Sequence, residues 1–276
     1  MTTGDRRPIA ALDDVTRTYG GVPVLDGASL AVEPGVTAVV GPNGSGKSTL
    51  LGLLAGTVTP TTGTVRRPGA GESGDGVGAA KPIGYLPQRV PFRGGFTARE
   101  TLAFYARLVG ADPDAALDRV GLSDARDRRV EALSGGMKRL LGIAQATLGD
   151  PSLVVLDEPA SGLDPGMRER AFRTAAETAA GSDGGRAVVL SSHDLGLVDA
   201  YADTVVLLAR GGIVAAGALD VLRAEHDVGD AAGLYRALAV GTGDEEPDES
   251  GVETGDGSDG TEGGRETVHV TGVSEE

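Results

Sequence analysis

An α/β fold with a parallel core is predicted for this chain, and three observations predict it. The β-branched run Val36-Thr37-Ala38-Val39-Val40 leads through a glycine-rich loop into the apolar run Leu50-Leu51-Gly52-Leu53-Leu54-Ala55, which is strand, loop and helix in succession. Leu153-Val154-Val155-Leu156 and Ala187-Val188-Val189-Leu190 are continuous apolar runs, as strands buried on both faces are, with a helical stretch from about 166 to 180 between them. A strand–helix–strand unit of that kind implies a right-handed parallel crossover. Residues 9–33, in contrast, alternate short apolar runs with turns, the pattern of an antiparallel β region.

The loop Gly41-Pro42-Asn43-Gly44-Ser45-Gly46-Lys47-Ser48-Thr49 matches G-x-x-x-x-G-K-[ST] at every fixed position and has the flanks that the pattern requires. Phosphates need a backbone that approaches closely with its N–H groups turned inward. Gly41, Gly44 and Gly46 supply conformations that a Cβ would obstruct. Lys47 is placed to reach the β- and γ-phosphates and Ser48 to ligate Mg²⁺, while the positive end of the following helix attracts the anion.

Composition narrows the class further. The chain has 276 residues, 40% of them hydrophobic and 3% aromatic, so a core of Ala, Val and Leu is expected. The sequence contains no cysteine, which excludes disulfides, thiolate metal sites and a cysteine nucleophile. Met1-Thr2-Thr3-Gly4-Asp5-Arg6-Arg7 runs into a strand pattern with no apolar signal region, so a cytoplasmic location is expected. The most apolar stretch, 204–222, is broken by Arg210-Gly211-Gly212 and Asp220, whereas a membrane span needs about 20 nearly uninterrupted apolar residues. It reads as two short strands and a helix start. Of the net charge of −15, the stretch after Gly241 carries −11, from twelve acidic residues and one Arg, and the body carries −4. No basic patch of a nucleic-acid-binding surface stands out.

Taken in order, Tyr19 precedes a Gly-Gly turn in the antiparallel region, where a packing role and an adenine platform are both open. Pro60-Thr61-Thr62-Gly63-Thr64-Val65 is a turn entering a strand, and residues 68–80, with five Gly, read as a surface loop. Ile83-Gly84-Tyr85-Leu86 forms a short strand ending at Pro87-Gln88. From 89 to 149 the chain is mainly helical. Thr97 and Glu100 make a capping box, and Leu102, Tyr105, Ala106 and Val109 mark a buried face. Asp112-Pro113 opens a second helix as N-cap and first residue. A third follows Ser134, with Leu140, Leu141, Ala144 and Leu148 apolar. The two buried strands end in Asp157-Glu158-Pro159 and Ser191-Ser192-His193-Asp194, at the sheet edge where the phosphate loop also lies. Residues 241–276 are low in complexity and are expected to be a disordered, solubilising tail.

The phosphate loop, Gln88, Leu133-Ser134-Gly135-Gly136-Met137, the strand ending in Asp157-Glu158, Ser161-Gly162-Leu163-Asp164 and His193 stand in an order and spacing that resembles the nucleotide-binding subunit of an ATP-binding cassette (ABC) transporter. The resemblance covers roughly residues 9–225. It implies a P-loop NTPase (RecA-like) core with an antiparallel β subdomain and a helical insert. The ATP-binding domain would span 9–240 and the acidic tail 241–276.

Carried over residue by residue, the resemblance implies that Tyr19 stacks on adenine and that Gln88 contacts Mg²⁺ or the attacking water. Asp157 would hold the metal directly or through water. Glu158 would act as general base and His193 would bind the γ-phosphate. Ser134, Gly135 and Gly136 would cover the nucleotide held by a second cassette. The working unit would then be a dimer, most simply a homodimer, with two ATP at the seam near Asp164. Met137 stands where Gln is commonest and Ala160 where Thr is frequent, and Met at that place tilts the reading towards export-type cassettes. The implied activity is ATP hydrolysis that powers a separate membrane permease, on the inner face of the cell membrane, with no nucleic acid involved. The alternative is a soluble cassette ATPase of DNA repair or ribosome function. Those usually have two cassettes or a long heptad insertion, and this chain has neither.

Overall fold

The computed structural model describes residues 8–69, 83–90, 92–181 and 185–240. The surface-loop reading of 68–80 falls almost wholly outside the described residues, as do the readings of residues 1–7, Pro91 and the acidic tail.

The nine strands among the described residues form two sheets. In the smaller, β1 (Ala10–Tyr19) lies between β2 (Val22–Val32) and β4 (Thr62–Arg66), antiparallel to both. Gly20 and Gly21 close the β1–β2 hairpin at φ 58° and 87°, the doubly left-handed geometry that suits a two-residue turn. The larger sheet runs β5 (Ile83–Leu86), β6 (Leu153–Leu156), β7 (Ala187–Ser191), β3 (Gly35–Val40), β8 (Thr204–Ala209), β9 (Gly212–Ala218). It is parallel except for β9, which returns antiparallel on β8. Neighbouring registers put Val39 opposite Ser191 and Leu156 opposite Leu190, so β3, β6 and β7 end level with one another. The loops that follow them therefore leave from one edge.

The two-residue period of a strand divides the apolar runs between two cores. Val36, Ala38, Val40, Val154, Leu156, Val188 and Leu190 face α4 (Gly135–Thr147) and α5 (Pro165–Ala180). Val39, Leu153, Val155, Val189, Val206 and Leu208 face α1 (Lys47–Ala55) and the small sheet. Leu50, Leu51, Leu53 and Leu54 of α1 are completely buried there. Burial of that kind contributes about 1.5–3 kcal/mol per side chain. Phe172 of α5 is the largest completely buried side chain in the other core.

The insert contains α2 (Ala98–Val109), α3 (Pro113–Arg119) and α4. Thr97 and Glu100 form the expected capping box, and Asp112 caps α3 through the amide of Asp114. The buried stripe of α2 is Ala98, Leu102 and Ala106, with Val109 half-buried beside it. Tyr105, expected on that stripe, is instead 36% exposed and stacks edge-on against Phe104 at 5.2 Å. The i, i+4, i+8 stripe centres past Leu102, which carries Tyr105 off its edge. Helices α6 (Leu195–Tyr201), α7 (Leu219–Glu225) and α8 (Ala231–Tyr235) close the C-terminal side. No helix among the described residues is long and apolar enough to cross a membrane.

Candidate functional site

The loop after β3 is shaped by two glycines that have no room for a side chain. A Cβ on Gly41 would come 2.3 Å from the Leu208 carbonyl oxygen, and one on Gly46 would meet the Val24 carbonyl oxygen at 2.9 Å and Leu25 at 2.8 Å. Gly44 differs. Nothing lies within 4 Å of its Cβ direction, and only its φ of 79° favours glycine. Gly46 is also the N-cap of α1 and provides no side-chain acceptor, so the first-turn N–H groups are left for an external partner. Lys47 is 7% exposed and its Nζ donates to the carbonyls of Gly41 at 2.7 Å and Pro42 at 2.9 Å. An ammonium has three donors, so one is uncommitted. Burial holds the Lys47 pKa below its ordinary value, and the charges of Glu158 and Asp157 act against that. Ser45 is buried and its Oγ has no partner. A cradle of uncapped amides, a free ammonium donor and an orphaned hydroxyl fits a polyphosphate. Asn43 and Ser48 are exposed on the loop, and Pro42 and Thr49 are half-exposed.

Beyond β6, Asp157 is 2% exposed and its Oδ1 accepts from the Ser191 hydroxyl at 2.8 Å. The same Oγ accepts from the Glu158 amide at 2.7 Å, so one serine at the end of β7 ties both acidic residues in place. Glu158 sits at φ 49°, a left-handed conformation that costs a non-glycine residue about 1–3 kcal/mol. Its Oε1 lies 3.4 Å from Nε2 of His193. Glu158, Ser191 and His193 line a 520 Å³ cleft together with Ser161, Gly162 and Arg168. No group of three His, Cys, Asp or Glu among the described residues forms a self-sufficient metal site. The donor set here is one carboxylate and hydroxyls beside a phosphate cradle, which fits a Mg²⁺ completed by substrate oxygens.

Gln88 is exposed in the loop after β5. That loop runs alongside the acidic strand end, because the Asp157 amide donates to the Leu86 carbonyl at 2.9 Å. Tyr19, 44% exposed, stands at the tip of the hairpin whose β2 abuts Gly46, and the Arg17 guanidinium covers one face of its ring at 4.4 Å. The structure thus brings Gly41–Thr49, Asp157, Glu158 and His193 to one edge, with the Gln88 loop adjoining. It does not bring Ser134, Gly135 and Gly136 there. Ser134 caps α4 by accepting from the Met137 amide at 3.1 Å, a Cβ on Gly136 would run into Met167 and Leu163, and among the described residues no hydrogen bond joins these three to the phosphate loop. Asp164 caps α5 through the Met167 amide at 3.0 Å and is exposed.

Sequence reasoning overlooked Arg139 and assigned no role to Ser191. Arg139 is 7% exposed, and its guanidinium donates to the carbonyls of Pro87, Gln88, Asp157 and Glu158. A signal existed for it: Arg139, Ile143 and Ala146 share a helix face that the period of α4 turns inward, and a charge on such a face needs buried partners.

The ABC transporter family pattern matches residues 25–161. The chain is 39% identical over 240 residues to the zinc import ATP-binding protein ZnuC of Paracoccus denitrificans, covering 84% of this chain and 85% of that protein. It is 35% identical over 225 residues to the Nod factor export ATP-binding protein I of Rhizobium meliloti, covering 78% of this chain and 66% of that one. Among solved structures, the ATP-binding subunit of an ABC transporter superposes with a TM-score of 0.70 at 26% identity, covering 82% of this chain and 98% of that one.

Proposed function

The chain belongs to the ABC transporter family as an ATP-hydrolysing, ATP-binding subunit, and on that premise we propose that it works as a dimer of cassettes, with two ATP–Mg²⁺ at the seam, to power a separate membrane permease. The observation that carries this reading is the level ending of β3, β6 and β7, by which Lys47, Asp157, Glu158 and His193 converge on one edge. Lys47 and the first-turn amides of α1 bind the phosphates, and Tyr19 offers its uncovered ring face to adenine. Ser48, Asp157 and Gln88 would hold Mg²⁺, which when bound supplies charge neutralisation across the β- and γ-phosphates. Glu158 takes the proton of the attacking water, and His193, 3.4 Å from it, reaches the γ-phosphate side. Ser134 and Gly135 are exposed at the tip of α4 and share no hydrogen bond with the phosphate loop among the described residues, which supports their use on a partner's nucleotide, with Asp164 at the same seam.

The permease contact is proposed on the outer face of α2. Three of the four phenylalanines of the chain, Phe92, Phe96 and Phe104, lie together there with Tyr105, around a 430 Å³ hollow, and Leu108 is 74% exposed nearby. An aromatic patch of that kind suits a protein partner, which on the family premise is the membrane permease. The location that follows is cytoplasmic, on the inner face of the cell membrane. The direction we propose is export, supported by Met137 and the Nod factor relative, while the ZnuC relative is named for import. Uptake or extrusion by vesicles carrying both subunits decides it.

Glu158→Gln tests the site. It should bind MgATP with normal affinity, lose about 10²–10⁴-fold in turnover and accumulate as a nucleotide-bound dimer on size exclusion. Unchanged turnover would remove Glu158 as the base.

A further inference from the structure

We propose that Arg139 is a positioning residue for ATP hydrolysis, holding the Gln88 loop and the Glu158 loop in one fixed relation through their main-chain carbonyls. The proposal rests on the roles given above to Glu158 and Gln88. One branch of the guanidinium donates to Pro87 O at 2.9 Å and Gln88 O at 2.8 Å. The other donates to Asp157 O and, at 2.8 Å, to Glu158 O. Arg139 forms no ion pair at contact distance with any described carboxylate: its hydrogen bonds go to four main-chain carbonyls, its Nε is buried without a partner, and the charges of Asp157 and Glu158 act on it only from beyond contact. Taking a guanidinium out of water for no ion pair is costly unless its hydrogen bonds accomplish something that apolar packing would not.

What they accomplish begins where the sheet ends. The β5–β6 pairing stops at Leu86 and Leu156, and the Asp157 amide bond to Leu86 is the last rung. Past that point both strands diverge into loops, and Arg139 bonds the next two carbonyls of each. Glu158 is also the residue at φ 49°, with its amide held by Ser191 and its carbonyl by Arg139, so its unfavourable conformation is gripped from both sides. The rigid planar fork matters, because an ammonium is a single point of attachment and cannot span two pairs of carbonyls. The same helix carries the Ser134–Gly136 tip one turn away.

The test is kinetic, on the full chain with its permease where turnover requires it. Arg139→Lys and Arg139→Met should keep the dissociation constant for MgATP within about 3-fold while kcat falls by about 10-fold and 10²-fold respectively, since a misplacement of about 1 Å at a reacting group costs that much. Because Arg139 acts through Glu158, Arg139→Lys in the Glu158→Gln background should slow single-turnover hydrolysis by less than about 3-fold further. Equal kcat for Arg139→Lys and wild type, or losses that multiply in the double variant, would overturn the proposal. So would a loss of kcat that follows a loss of nucleotide affinity. If Glu158→Gln alone hydrolyses normally, the base assignment fails instead, and the single-variant kcat still reports on Arg139. Arg139→Lys keeps the charge and most of the volume, so it remains informative if Arg139→Met does not fold.

Discussion

Replacing Ser191 by Ala removes the hydroxyl that joins the two acidic residues of the site, and the structure allows the effect to be estimated. Asp157 Oδ1 loses a donor at 2.8 Å and the Glu158 amide loses an acceptor at 2.7 Å, at a residue with no exposed surface. A hydrogen bond to a charged group contributes about 1.5–3 kcal/mol, and an amide left without a partner costs about 1–3 kcal/mol. The two share one oxygen and are not independent, so a loss of about 3 kcal/mol is expected. In a domain of this size about 2–4 °C of melting temperature follows each kcal/mol, hence a fall of about 6–12 °C. Turnover should fall with it, by about 10–10²-fold, because Glu158 loses one of the three bonds that hold its left-handed backbone, and the one that holds its amide. Calorimetry gives the first number and a phosphate-release assay the second. A variant that melts within about 2 °C of wild type and turns over normally would refute the bridge and the energetic reasoning built on it.

Three further outcomes are expected. Gly41→Ala should abolish MgATP-induced thermal stabilisation, because its Cβ would lie 2.3 Å from the Leu208 carbonyl. Gly44→Ala, with open space around it, should cost only about 1–2 kcal/mol of left-handed strain. The Lys47 pKa is lowered by burial, so the unfolded chain binds more protons between that lowered value and 10.5. Stability of the nucleotide-free protein therefore rises with pH across that window and is lost again as pH falls through the folded pKa. Denaturant titrations should show this slope in wild type and lack it in Lys47→Met. Phe104→Glu, at a side chain 63% exposed, should leave melting within about 0.5 kcal/mol and basal ATPase unchanged while reducing co-purification with membranes.

The phosphate loop and the acidic strand end were legible because their chemistry needs contiguous residues. A cradle for phosphate is a run of backbone, and its glycines must follow one another in the chain. The strands were legible because a two-sided core demands unbroken apolar runs, which Leu153–Leu156 displays. Tyr105 was misjudged because a stripe one residue wide separates a buried position from an exposed one, and the neighbouring helices decide where its edge falls.

The amino-acid order by itself determined the α/β class, the place of the glycine-rich loop between strand and helix, the helix caps at Thr97 and Asp112, and the position of Asp157-Glu158 at a strand end. Each of these depends on residues within a few positions of one another. The tertiary structure alone decided that Ser191 clasps both acidic residues from 33 and 34 positions away and that Arg139 reaches back 51 and 52 positions to the Gln88 loop. The reason is that these bonds end on main-chain atoms or on a lone hydroxyl, groups that every sequence possesses in abundance, so only the folded path of the chain selects which of them meet.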